Sequence, residues 1–68
     1  MTYDEIKIGD KVHYRNPQSF GGGAENGVVK SVREDGAFVV YHCDGKWHDF
    51  DNYTGQHTPL EALYPGWK

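Results

Sequence analysis

Hydrophobic and polar positions fall into short alternating runs, and the clearest lie between Gly27 and His42. Val28, Val29 and Val32 precede Glu34-Asp35-Gly36, and Phe38, Val39, Val40 and Tyr41 follow it. Two β-branched runs separated by a turn signal predict a β-hairpin, with Gly36 supplying a positive φ in a three-to-five-residue connection. Upstream, Ile6 and Ile8 alternate with polar residues, and Gly9-Asp10 has turn chemistry before Lys11-Val-His-Tyr-Arg15. That segment predicts a half-buried strand, with Val12 and Tyr14 inward and Lys11, His13 and Arg15 outward. Asn16 to Asn26 holds Pro17, Gly21-Gly-Gly23 and Phe20 as its one large apolar residue, and predicts a loop.

Beyond the hairpin the pattern weakens. Asp44-Gly45 is a second tight-turn signal, and Lys46 to Asp51 is expected to return as a strand. Trp47 and Phe50 lie three apart, so one of them points outward or a bulge intervenes. Asn52 to His57 is polar and ends that strand. Thr58-Pro59-Leu60-Glu61 has the form of a capped helix start, which Pro65 prevents from continuing. A single helical turn over residues 59–63 is expected, with Leu60 and Leu63 covering one end of a barrel. Together these elements predict a mainly β fold, a small five-stranded barrel with one short C-terminal helical turn, formed as one domain over residues 1–68.

A 68-residue chain hides only about 60% of its unfolded surface, so ten aromatic residues must carry much of the core. The interior is too small for all of them, which leaves rings at the surface as contact points. One cysteine cannot form an internal disulfide, and no apolar run approaches the ~20 residues of a membrane span. No leader pattern is present either, so the expected location is cytoplasmic, with no membrane attachment. The net charge of −3 provides no general attraction for phosphate backbones. Residues 44–68 carry four acids (Asp44, Asp49, Asp51, Glu61) and two bases (Lys46, Lys68), a balance that favours a cationic partner there.

Ile8-Gly9-Asp10-x-Val12, Gly27-Val28-Val29-x-x-Val32, Asp35-Gly36, Val40-Tyr41 and the capped turn near the C-terminus resemble the SH3-like barrel superfamily, especially its small Tudor-like and KOW-like modules. The compact size, glycine-rich loop and aromatic tail also resemble small bacterial and phage-borne proteins. In Tudor-like modules an aromatic cage receives a methylated basic side chain. The resemblance implies candidates for it here in Tyr14, Phe20, Tyr41, Trp47 and Phe50.

Trp47, Phe50 and Tyr53 interleave with Asp44, Asp49 and Asp51, a combination that can hold a cation against ring faces and neutralise it with carboxylates. The competing reading has Trp47 plugging the barrel while the aspartates keep an edge strand soluble. His13, His42, His48, His57 and Cys43 show no zinc-like spacing, and no metal or cofactor is expected. Cys43 with His42 or His48 is the one plausible catalytic couple, in a barrel with little room for a substrate, so no enzymatic activity is expected.

The expected function is therefore a non-catalytic interaction module that binds a protein or peptide with basic side chains. Its binding residues are Phe20, Tyr41, Trp47, Asp49, Phe50 and Tyr53, assisted by the Gly21–Gly23 loop. The alternative is a weak, salt-sensitive single-stranded nucleic-acid-binding barrel, with phosphate contacts from Lys11, Arg15, Lys30 and Arg33.

Overall fold

The structure, a computed structural model, describes residues 1–15 and 24–68. Phe20 and the Gly21–Gly23 loop lie outside them. Five strands, β1 (Lys11–Arg15), β2 (Ala24–Arg33), β3 (Gly36–Val40), β4 (Gln56–Thr58) and β5 (Leu63–Pro65), form one antiparallel sheet in the order β4-β3-β2-β1-β5. Two 3₁₀ turns, η1 (Trp47–Asn52) and η2 (Leu60–Ala62), complete the described elements.

A flat five-stranded sheet would hold its two edge strands roughly 19 Å apart. Only residues 59–62 link β4 to β5, and η2 rises about 2 Å per residue, so the link falls short of that span. The sheet must curl into a small barrel. Its concave face holds Ile6, Val12, Val29, Ala37, Val39, Tyr41, Leu60 and Leu63, with Tyr14 and Val32 packed at the margin.

The hairpin forms, but not through Gly36. Arg33 pairs with Gly36, which leaves a two-residue connection, Glu34-Asp35, and places Gly36 inside β3. Positive φ among the described residues occurs at Gly9, Asp44, Gly45 and Gly66. Gly36 is needed because β4 comes close: a Cβ there would lie 2.6 Å from the Thr58 carbonyl oxygen. Pairing also shifts between Val29 and Ser31, so Lys30 bulges from β2. The extra residue lets Val29 and Val32, three apart, both serve the concave face.

Three other expectations are corrected. Residues 47–52 form η1 rather than a strand, and the fourth strand lies in the polar stretch Gln56–Thr58. The helical turn after Thr58 is present as η2, but no side chain caps it, because Thr58 is a buried β4 residue occupied elsewhere. His13 shares the face of Lys11 and Arg15, as expected, but is not exposed there. It is 6% exposed, its ring is stacked with Tyr64 at 5.6 Å, and its Nδ1 lies 2.7 Å from the Gly66 carbonyl oxygen. A carbonyl only accepts, so Nδ1 carries a proton and donates; buried Nε2 has no partner among the described residues.

The convex face is covered as well. Val28 and Val40 are buried at 4% and 0% yet belong to no part of the concave cluster. η1 packs on β2, and Trp47 meets Trp67 at 5.0 Å, edge to face. The C-terminal tail is fastened by Gly66 N–H to Lys11 O, by Trp67 Nε1–H to Gly27 O, and by the Asn26 side chain against Lys68.

Candidate functional site

A groove of about 240 Å³ opens at one end of the barrel, lined by Tyr14, Glu25, Tyr41, Gln56, His57, Thr58 and Pro59. Register explains the gathering. Tyr14 pairs with Glu25 across β1 and β2, and both share a face with Val12, Gly27 and Val29. Gly27 makes space for the site, since a Cβ there would lie 2.9 Å from Tyr41 Cδ1 and 2.5 Å from Val39 Cγ1. The Tyr41 ring occupies that space and meets Tyr14 edge to face at 6.4 Å. Such a pair adds stability beyond its buried area and presents ring faces in fixed orientation.

A chain of hydroxyls fixes Tyr41. Thr58 Oγ1 donates to the Gln56 carbonyl at 3.3 Å, so the 2.8 Å contact between Tyr41 and Thr58 is the phenol donating to Thr58. Burial pushes the Tyr41 phenol above its ordinary pKa of 10.0; the Thr58 bond opposes this and the Glu25 carboxylate adds to it. The Glu25 carboxylate stands at the mouth with His42 Nε2 3.3 Å away, and His57 Nε2 is 3.7 Å from Asp35. Two tyrosine rings and an exposed carboxylate around an open volume can hold a cationic side chain; the flanking Thr58 and Gln56 can orient it.

The sequence-expected residues divide between two places. Tyr41 lies in this groove. Trp47, Asp49, Phe50 and Tyr53 lie on or just after η1, against β2 and the Trp67 ring, and each is half-buried. Asp49 accepts from the Asn52 amide, and the bulged Lys30 ammonium donates to the Tyr53 carbonyl at 2.6 Å. The Tyr53 phenol is raised above its ordinary value by desolvation and by the nearby Asp44 and Asp49 charges. Tyr41 and the η1 aromatics are thus separate clusters. Phe20 lies outside the described residues.

Glu25, Gln56, His57, Thr58 and Pro59 were not expected at a site. Glu25 sits in a polar stretch before the hairpin, and its place opposite Tyr14 depends on a pairing that spans the 16–23 segment. Cys43 is 2% exposed, and among the described residues no three His, Cys, Asp or Glu side chains gather as metal ligands would. No described helix is long and apolar enough to cross a membrane. Compared with known proteins, the chain matches no family model, no curated protein and no solved structure.

Proposed function

We propose that this chain is a non-catalytic interaction module of SH3-like build that binds a protein or peptide segment through a basic side chain. The single observation that carries the reading is the Tyr14–Tyr41 pair facing the Glu25 carboxylate in an open groove. The curled five-stranded sheet, with η2 between its edge strands, supports the SH3-like part. An inserted Lys or Arg head gains the ring quadrupoles and the carboxylate together, while its aliphatic stem covers Pro59.

Titration of isotopically labelled protein with a short oligo-arginine peptide tests this. Amide shifts are expected at Tyr14, Glu25, Tyr41 and residues 56–58, with none of that pattern from oligo-glutamate. Glu25→Gln should weaken the peptide by about 2- to 5-fold, the scale of an exposed cation–π or ion-pair contact. Absence of shifts in the groove at millimolar peptide rejects the proposal.

A further inference from the structure

On its β1–β5 side, away from the aspartates of η1, the convex face bears the opposite charge. Register sets Lys11, His13 and Arg15 of β1 beside Val28, Asn26 and Ala24 of β2, with Tyr64 of β5 opposite His13. No carboxylate belongs to that set. Among the described residues, ion-pair contacts are made by His42 and His57 alone, so Lys11 and Arg15 keep their charges unneutralised. Each rests on a ring instead: Lys11 Nζ lies 4.8 Å from the Trp67 centroid and Arg15 Cζ 5.2 Å from that of Tyr64. Both rings remain open to solvent, Tyr64 at 42% and Trp67 at 37%. Lys11 and Arg15 are four residues apart on one strand, which separates their Cα atoms by roughly 13 Å. The tail bonds to Lys11, Gly27 and Asn26 hold the rings in place before any ligand arrives.

We propose that this face binds single-stranded nucleic acid, with bases stacking on Tyr64, Trp67 and the outer plane of the Arg15 guanidinium, and phosphates meeting Lys11 and Arg15. Ring and cation alternating along a strand match a polymer in which bases and phosphates alternate. A duplex hides its base faces and offers only phosphates, which two cations hold poorly against a net charge of −3. An acidic peptide would meet the cations but leave the exposed parts of the Tyr64 and Trp67 rings unused. This surface lies on the opposite side of the sheet from the Tyr14–Tyr41 groove and stands independently of the function proposed for it.

Fluorescence anisotropy with labelled oligo-dT and oligo-U of about ten nucleotides at low salt provides the test. Both are expected to bind, because stacking and phosphate contact do not read the 2′-hydroxyl, and a duplex of equal length should bind more weakly. Two phosphate contacts predict a slope of log K against log salt of about −1.4, which the Lys11→Gln/Arg15→Gln double variant should bring toward zero. Tyr64→Ala, shown folded by its amide spectrum, should weaken binding by roughly 5-fold or more, and Glu25→Gln should not. No binding by either strand at low salt overturns the proposal. So does equal or stronger duplex binding, or binding that the Lys11/Arg15 variant leaves unchanged.

Discussion

Gly36 illustrates how one residue can be noticed for the wrong reason. Its place after Glu34-Asp35 marks it as a turn residue, but its backbone is that of a strand and its missing side chain admits the Thr58 carbonyl. The need for glycine arises from β4, which pairs with β3 from some twenty residues along the chain and is invisible to a local reading. Gly36→Ala should destabilise the fold by about 1–3 kcal/mol, measured by denaturant unfolding, because a methyl group cannot enter without moving an edge strand. His13 is similar: alternation gives its face correctly, but burial of that face by Tyr64 and Gly66 comes from the tail. Asp44 and Gly45, in contrast, behave as the dipeptide suggests, with φ of 53 and 77 and a 2.8 Å bond from Lys46 N–H to Cys43 O. Asp44→Val should cost about 1–2 kcal/mol in the same assay, since a β-branched residue resists the left-handed region.

β1 is readable from its two-residue alternation, which burial on one face requires, and the β2–β3 pair from two β-branched runs around a turn signal, since both of its faces are covered. η1 replaces the strand expected over Lys46–Asp51, although the sequence carries its signal. Trp47 and Phe50 are separated by three, the repeat of a 3₁₀ turn, and a strand can accommodate that spacing only with a bulge. β4 had no usable signal: of Gln56, His57 and Thr58 only Thr58 is buried, and its inward group is a hydroxyl. The groove inherits this gap, because three of its seven residues are those of β4. For η1, the half-buried position of Trp47 against Trp67 determines what its removal does. Trp47→Ala should retain the sheet, as judged by amide dispersion, while lowering stability by about 1–3 kcal/mol, below the range for a fully buried tryptophan. A chain that fails to fold would instead make Trp47 the barrel plug.

For the whole molecule, the tyrosines set the alkaline limit. Tyr41 and Tyr53 both have folded pKa values above the ordinary 10.0, so each favours the fold while protonated. Their contribution is complete below that value and is lost as pH rises through the raised folded values. Unfolding midpoints should therefore fall at strongly alkaline pH together with a late rise in tyrosinate absorbance. In Tyr41→Phe the Tyr41 part of that decline should vanish, at a cost of about 1 kcal/mol at neutral pH for the lost bond to Thr58.

The ladder that joins β1 to β5 also has a consequence for synthesis. Val12 pairs with Pro65, a separation spanning most of the 68 residues, whereas the β2–β3 hairpin closes across two. On a translating ribosome the hairpin can assemble early, but the first strand must wait, one edge unpaired, until Leu63 emerges. Stalled nascent chains ending before residue 63 should be sensitive to protease, and chains with residue 68 outside the exit tunnel should be resistant.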